Sequence, residues 1–201
     1  MNDSVLTLNP ARRAILLITA LLILPFVLAF GLYWLEWRPA TLGNVGELIQ
    51  PPRALPSSGL VGSDGNAQKA GELLGKWTLV RVSPGQCDLA CRDDLRQMRQ
   101  VQVGLNKEMT RLRRVLMAGS AAQLLGDPAL PDLARSYPDL VFVAPAAGSD
   151  GDTWRDTFLH AEHHFYVIDP LGNVMMRYPA MPDMQGMRKD LERLLKYSWV
   201  G

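Results

Sequence analysis

The residues that could carry chemistry in this 201-residue chain fall into two short clusters. Its only two cysteines are Cys87 and Cys91, and its only three histidines are His160, His163 and His164. Thiolate and imidazole are the ligands that a soft metal ion such as copper selects, and a close pair of cysteines is also the working unit of thiol–disulfide exchange. The chain therefore carries candidate residues for metal binding and for redox chemistry.

The spacing of the cysteines places both at the start of a predicted helix. Residues four apart on a helix have Cα atoms about 6 Å apart, within the usual disulfide range of roughly 4.4–6.8 Å. The same spacing lets both sulfurs reach one metal ion, and the unpaired N–H groups of a first helical turn favour the thiolate. The alternative is a static disulfide that fastens the start of the helix. Such a bond would close a very short loop and so would constrain the unfolded chain little.

The histidines admit more than one interpretation. His163 and His164 precede a predicted strand, in which side chains alternate between the two faces. That alternation places His164 with Tyr166 on one face and His163 with Phe165 on the other, so only one of the adjacent imidazoles can point at the cysteines. We favour His164, because it directly adjoins the strand, and we keep His163 and His160 as alternatives. The histidines could also be ordinary surface residues or form a separate metal site.

An uncharged, apolar run from Ala14 to Leu35 predicts a membrane-spanning helix. At about 1.5 Å per residue it spans roughly 33 Å, enough to cross a hydrocarbon core of about 30 Å. The alternative is a cleaved signal peptide, but the run exceeds the roughly 7–15 apolar residues of such a peptide and no A-x-A-like cleavage site follows it. Arg12 and Arg13 precede the run, which favours a short cytoplasmic tail and an exported C-terminal part.

The composition and the expected compartment of the chain limit the kinds of partner it can have. The formal net charge is +1 at pH 7 and the chain has no lysine–arginine cluster, so we expect no nucleic-acid ligand. A paired dithiol outside the cytoplasm can cycle through a disulfide. We therefore expect a single-pass protein of a bacterial inner membrane, with the lipid bilayer as one partner and the C-terminal domain in the periplasm.

The pattern divides the chain into a cytoplasmic tail (1–13), a transmembrane helix (14–36), a Pro- and Gly-rich tether (37–69) and a domain (70–201). Within the domain, apolar runs alternate with helical periodicities. Strands are predicted at 77–82, 112–117, 139–143, 165–168 and 173–178, and helices at 88–107, 121–125, 132–137 and 183–196. This order describes an α/β sandwich with a mixed sheet.

The domain resembles the Sco/SenC proteins over roughly residues 72–197. The resemblance rests on a Gly-Lys-Trp strand entry at 75–77, a CxxxC motif that opens a helix, and the hairpin sequence YVIDPLGN at 166–173. It implies a thioredoxin-like fold behind a membrane anchor. It also implies a role in assembling the copper centre of cytochrome c oxidase.

The resemblance implies a ligand set as well. In the Sco/SenC family two cysteines and a distal histidine bind copper, and Cys87 and Cys91 match the cysteine positions. The histidine position of the family falls nearest Ala161, with His160 one residue before it and His163 two residues after it.

Two positions beside the cysteines depart from the family pattern. Asp88 follows the first cysteine, where the family usually has proline. Arg81 interrupts a strand that is apolar and aromatic in the family. The chain is therefore identified as a divergent Sco/SenC-like protein.

Two functions fit these residues. The first is an exported, membrane-anchored factor that handles thiols or copper and helps to assemble a respiratory copper oxidase. Either Cys87, Cys91 and His164 would hold Cu(I), or the dithiol would reduce the copper-ligand cysteines of a client, with an oxidase subunit or a copper donor protein as partner. Whether it is a thiol–disulfide oxidoreductase or a metallochaperone stays open. The second function is a non-catalytic thioredoxin-fold accessory or binding subunit of a respiratory membrane complex, with a structural disulfide.

Overall fold

The computed structural model of the protein describes residues 9–35, 43–159 and 163–198. The chain divides into two units, Met1–Gly43 and Asn44–Gly201. The first unit contains helix α1 (Pro10–Trp34), which has 25 residues and a mean hydropathy of 2.8 over its most apolar stretch, long and apolar enough to cross a membrane. The predicted single N-terminal helix is confirmed. It begins four residues before the predicted start at Ala14, and the predicted end at residue 36 lies outside the described residues.

The second unit is built on one mixed eight-stranded sheet. Its strands are β1 (Glu47–Ala54), β2 (Leu60–Gly62), β3 (Ala67–Gln68), β4 (Trp77–Ser83), β5 (Leu112–Ala118), β6 (Leu140–Pro145), β7 (His163–Ile168) and β8 (Asn173–Pro179). Across the sheet they run in the order β1-β8-β7-β4-β5-β6-β2-β3. The central strands β4, β5 and β6 are parallel, and every other neighbouring pair is antiparallel.

Helices cover both faces of this sheet. They are α2 (Leu89–Gly104), α3 (Ala121–Leu125), α4 (Leu130–Ser136), α5 (Ser149–Phe158) and α6 (Met184–Tyr197). Apolar residues of α2, α3, α4 and α6 pack on one face, in the core cluster that also contains both cysteines. Trp154 and Phe158 of α5 pack on the opposite face, in a second cluster. The predicted α/β sandwich with a mixed sheet is confirmed, and the five predicted strands are present with ends that differ by one or two residues.

Helix α2 forms because its sequence caps and buries it. The side chain of Asp88, the N-cap residue, accepts a hydrogen bond from the backbone N–H of Cys91. Cys91, Leu95 and Met98 are buried at helical spacing, as predicted. The prediction that Leu89 belongs to the same apolar face is wrong, because its side chain is 85% exposed. The helix ends at Gly104 rather than near residue 107, and a 3-10 turn follows it.

Helix α5 is absent from the sequence prediction. Its sequence begins Ser-Asp-Gly-Asp-Thr, which has low helix propensity. Tertiary packing stabilises it instead: Trp154 is buried in the sheet cluster and its Nε1–H donates to the backbone carbonyl of Ser58 over 2.8 Å. Gly151 is required at one close approach, since a Cβ atom there would collide with the carbonyl oxygen of Ala146.

Part of the segment predicted as a tether is folded. Strands β1, β2 and β3 lie within residues 47–68 and form the two edges of the sheet. Strand β1 contains Pro51 and Pro52, and its pairing with β8 is interrupted between Leu48 and Arg53. Proline is tolerated on an edge strand because its missing N–H group is not needed by a second neighbour. Because proline is common in loops, the sequence prediction missed this strand.

The start of the second unit is held by a buried carboxylate. Asp190 of α6 is 3% exposed, and its Oδ2 accepts hydrogen bonds from the backbone N–H groups of Val45 and Gly46, each over 2.9 Å. The hydroxyl of Tyr178 donates to the same oxygen over 3.2 Å. These bonds join the segment that leads into β1 to the last helix of the domain.

Candidate redox site

Cys87 and Cys91 form a disulfide bond where the chain enters helix α2. Their Cα atoms are 5.2 Å apart, within the range that the four-residue spacing predicts. Strand β4 leads into the exposed residues 84–86, and Cys87 follows immediately before the N-cap residue Asp88. One sulfur thus lies just outside the helix and the other in its first turn.

Both cysteines are buried beside exposed chain. Cys87 is 5% exposed and Cys91 is 1% exposed, and both belong to the core cluster that also contains Leu95, Leu124 and Phe165. Residues 84–86 and 88–90, on either side of Cys87, are exposed. The sulfur of Cys87 is therefore the more accessible one to an attacking thiol, and Cys91 is more deeply buried.

The backbone N–H groups of both cysteines donate hydrogen bonds to carboxylates. Asp127 Oδ2 accepts a hydrogen bond from the backbone N–H of Cys87 over 2.8 Å, and Asp88 Oδ1 accepts one from the backbone N–H of Cys91 over 2.9 Å. These donors are the groups that stabilise a thiolate at a helix N-terminus. Because they are satisfied by carboxylates, and because each carboxylate adds negative charge, the surroundings oppose thiolate formation.

Asp127 was not identified from the sequence. It lies 40 residues beyond Cys87, in the turn between α3 and α4, where its Oδ1 also accepts from the N–H of Ala129 over 2.8 Å. An aspartate followed by proline is typical of a turn. That local signal gives no indication of a contact with a residue so far along the chain.

A buried ion pair adjoins the redox site. Arg81 Nε donates to Asp94 Oδ2 over 2.7 Å, and the two side chains are only 6% and 16% exposed. The guanidinium carbon of Arg81 lies 5.4 Å from the ring centre of Phe165, which belongs to the same cluster as the cysteines. Asp94 follows Cys91 by three residues on α2, so that the pair lies about one helical turn from the inner cysteine.

His164 is the one predicted histidine ligand whose surroundings the structure describes. Burial and the positive charge of Arg81 lower the pKa of His164, and the carboxylate of Asp94 raises it in part. His163 begins strand β7, and its backbone pairs with Pro179. His160 lies outside the described residues.

The strand register at these histidines is irregular. His163 pairs with Pro179 and Phe165 pairs with Tyr178, so two steps along β7 match one step along β8. Such a bulge interrupts the strict alternation of side chains from which His164 was assigned to a face with Tyr166. Phe165 packs in the cysteine cluster and Tyr166 in the opposite one. Alternation alone therefore does not decide which histidine faces the cysteines, and the assignment stays a prediction.

The donor groups for a metal ion are only partly assembled. Both sulfurs are joined in the disulfide, and within residues 9–35, 43–159 and 163–198 no three His, Cys, Asp or Glu side chains are arranged to hold a metal ion. The Cys87, Cys91 and His164 set for Cu(I) remains a prediction, as do its alternatives with His163 and His160.

A family model matches most of the folded unit. The model is described as a transmembrane-like, thioredoxin-like, C-terminal domain, and it matches residues 77–198, from the start of β4 to the end of α6. No match to a curated protein was found.

Solved structures of Sco proteins share the fold. The structure of yeast Sco1 with copper bound has 17% sequence identity and a TM-score of 0.58, with 73% of this chain and 91% of that chain covered. The structure of Bradyrhizobium japonicum ScoI with copper bound has 17% identity and a TM-score of 0.51, covering 70% and 99%. BsSco, described as a Sco-family cytochrome c oxidase assembly protein with a disulfide switch, has 17% identity and a TM-score of 0.52, covering 76% and 100%. The predicted resemblance to Sco/SenC proteins is confirmed at the level of the fold.

Proposed function

Because the chain belongs to the family of transmembrane-like, thioredoxin-like C-terminal domains, we propose that it is a membrane-anchored thiol–disulfide exchange factor. The observation that carries the proposal is the disulfide between Cys87 and Cys91 at the start of α2. Their Cα atoms are held 5.2 Å apart by the helix start itself. This separation suits both formation and opening of a disulfide.

In the forward reaction, the dithiol form reduces a client disulfide. The Cys87 thiolate attacks one client sulfur, the client S–S bond breaks, and one client thiolate leaves. The Cys91 thiolate then attacks the Cys87 sulfur, which breaks the mixed disulfide and releases the second client thiolate. Two electrons pass to the client, and the Cys87–Cys91 bond of the described structure is the product. A membrane-associated dithiol reductant would return the pair to its starting state.

The surroundings of the pair favour this direction of electron flow. A disulfide is a strong oxidant when its reduced form is stabilised as a thiolate. Here Asp88 and Asp127 disfavour the thiolate, and the positive charge of Arg81 is balanced by Asp94. The reduced form gains little from its environment, so the dithiol gives up its electrons readily.

The anchor and the relatives point to the client. Helix α1 is long enough to hold the domain at a membrane, and Arg12 and Arg13 before its apolar core favour export of the C-terminal domain, which we place in the periplasm of a bacterial inner membrane. Structures with the same fold include BsSco, a cytochrome c oxidase assembly protein. We propose that the client is an oxidase subunit whose copper-ligand cysteines must be reduced.

The test is a redox titration of the full chain in lipid nanodiscs. We expect one exchangeable disulfide, with a potential between about −200 and −270 mV, the range of reducing exchange proteins, and not below about −300 mV, the range of structural bonds. Cys91→Ser should trap a mixed disulfide through Cys87, while Cys87→Ser should trap far less. A potential well below −300 mV would instead favour the accessory subunit with a structural disulfide.

Copper transfer is the second candidate function. One observation favours it: His164 lies within the electrostatic reach of Asp94, one helical turn from Cys91. The residues fit a copper cargo only in part, because the guanidinium of Arg81 acts on the same imidazole and disfavours a cation there. Copper stoichiometry of the reduced full chain separates the two functions. One copper per chain, lost in Cys87→Ala and weakened by roughly 10–100-fold in His164→Ala, would support transfer.

A further inference from the structure

A cavity lies on the face of the sheet opposite the cysteines. It has a volume of about 250 Å³, and its lining includes Ile49 and Gln50 of β1, Tyr166 of β7 and Arg177 of β8. Tyr166 packs in the cluster of the α5 face, whereas Cys87 packs in the other. The cavity is thus separate from the redox site.

The cavity lies where the pairing of β1 with β8 is interrupted. Leu48 pairs with Met176 and Arg53 pairs with Val174, so that five steps along β1 match two along β8. The intervening residues 49–52 of β1 face a single residue of β8 and include two prolines, which cannot donate ladder hydrogen bonds. The strand therefore bows away from β8, and Arg53 returns at the rim of the space that this opens.

The cavity wall carries a buried hydroxyl that is unpaired among the groups that the structure describes. Tyr166 is 2% exposed, and its hydroxyl has no hydrogen-bond partner among the described residues. The ring is held in place by an edge-on contact with Phe158, with ring centres 4.9 Å apart. Burial raises the pKa of Tyr166 and Arg177 lowers it in part, so the hydroxyl keeps its proton at neutral pH and serves as a donor. A buried donor of this kind is usually satisfied by a ligand or by water.

Of the two arginines that line the cavity, only Arg177 is paired with a carboxylate in the described part of the chain. Arg177 is held by Glu47 through two hydrogen bonds of 3.0 and 2.6 Å, which neutralise it. Arg53 lines the same cavity and forms no ion pair with any acidic residue of the described ranges. One positive charge therefore remains, next to a neutral O–H donor and to the apolar side chains of Ile49 and Val174.

From this arrangement we infer that the cavity binds a small organic monocarboxylate. Its carboxylate would accept hydrogen bonds from Arg53 and from the Tyr166 hydroxyl, and its short apolar part would lie against Ile49 and Val174. A dianionic phosphate fits less well, because the second cation, Arg177, is already neutralised by Glu47. The volume lies below the roughly 300–1,000 Å³ of sites for drug-sized ligands, which limits the body to a few carbons.

The test uses the full chain in lipid nanodiscs with butyrate as the probe. Binding is followed by NMR of ¹³C-labelled tyrosine rings, with the Tyr166 signal assigned from Tyr166→Phe. We expect a saturable shift with a dissociation constant on the order of 1 mM, as is usual for a ligand of this size. Butyramide, the neutral isostere, and inorganic phosphate should bind at least about tenfold more weakly, since neither matches one charge and one donor.

Three variants make the assignment specific. Arg53→Met should weaken butyrate binding by about 10–100-fold, and Tyr166→Phe by up to about tenfold, as seen by thermal stabilisation where the ring signal is lost. Glu47→Gln should strengthen binding, because it releases Arg177 and removes a negative charge. Arg135→Met, which removes an exposed arginine paired with Asp132, is the matched control and should change nothing.

Four results would overturn the inference. They are no saturable shift with butyrate up to about 20 mM, equal binding of butyramide, tighter binding of phosphate, and unchanged affinity in Arg53→Met. Because Arg53 is exposed, its variant is expected to fold, and a far-UV spectrum like that of the wild type verifies this. Redox activity of the cysteines is not needed for any of these measurements.

Discussion

The carboxylate of Asp127 lies against the backbone N–H of Cys87, with Oδ2 and N 2.8 Å apart, across 40 residues of sequence. The contact places a carboxylate beside the backbone of Cys87, the outer cysteine of the disulfide. With Asp88 at the inner cysteine, it sets the electrostatic environment in which the thiols ionise.

Asp127→Asn should make the redox pair more oxidising. Asparagine keeps an oxygen acceptor for the Cys87 amide but removes the charge, so the thiol pKa should fall and the reduced form should gain stability. We expect the reduction potential of the full chain to rise by on the order of 10–30 mV, measured against a glutathione buffer. Asp132→Asn removes the same charge at an exposed position and should leave the potential unchanged. An equal potential in wild type and Asp127→Asn would contradict the electrostatic assignment.

Arg81→Met should destabilise the domain, because it leaves the largely buried carboxylate of Asp94 without its partner. The expected loss is about 3 kcal/mol in the free energy of unfolding, measured by urea titration of the full chain in detergent. The double variant with Asp94→Leu should recover most of it, since it removes the uncompensated charge. Arg96→Met breaks an exposed pair with Asp93 on the same helix and should leave the free energy of unfolding almost unchanged, because solvent screens such a pair. A loss that persists in the double variant would show that Arg81 stabilises by packing and not by pairing.

Gly151→Ala should destabilise the domain although alanine is the better helix former. Helix propensity alone predicts a gain of about 1 kcal/mol in α5. The new Cβ would collide with the carbonyl of Ala146, however, and such overpacking typically costs about 1–3 kcal/mol. We expect a lower melting temperature than in the wild type. Gly85→Ala, at a position with open space around it, serves as the control and should melt like the wild type. A stabilised Gly151→Ala would mean that the helix start shifts at little cost.

Tyr178→Phe should reduce the fall in the free energy of unfolding as the pH rises above about 9. Burial, the nearby charge of Asp190 and the hydrogen bond to it raise the pKa of Tyr178 far above its ordinary value of 10. As the pH rises through about 10, the unfolded chain releases this proton while the folded chain retains it, so the free energy of unfolding falls with pH. Removing the hydroxyl abolishes that contribution. The slope of unfolding free energy between about pH 9 and 11 measures it, and Tyr197→Phe, at an exposed tyrosine, should keep the wild-type slope.

The sequence predicts the central strands and α2 because these elements signal their structure locally. Strand β4 is mostly apolar although Arg81 interrupts it, and α2 begins with an aspartate cap and buries residues at helical spacing. Helix α5 and strand β1 lack such signals, since the first contains Gly151 and the second two prolines, and both are stabilised by contacts with distant segments.

At the candidate site, too, local features could be predicted from the sequence and non-local contacts could not. The distance between Cys87 and Cys91 follows from their spacing, which is a local property. The contact with Asp127 is non-local, and the bulge at His163–Phe165 depends on how β7 pairs with β8. A prediction from strict side-chain alternation assumes a regular strand and therefore misses such a bulge.

The pairing of β1 with β8 has a consequence for the biosynthesis of the protein. Glu47 lies opposite Arg177, 130 residues later, so β1 is made long before the strand with which it pairs. Chains are made and delivered from the N-terminus onward, at about 5–20 residues per second. Over 130 residues that interval is roughly 6–26 s, during which β1 has no partner strand. The sheet is complete only after the β7–β8 hairpin has been made. A truncation that removes β8 therefore leaves β1 without a partner and exposes one edge of β7.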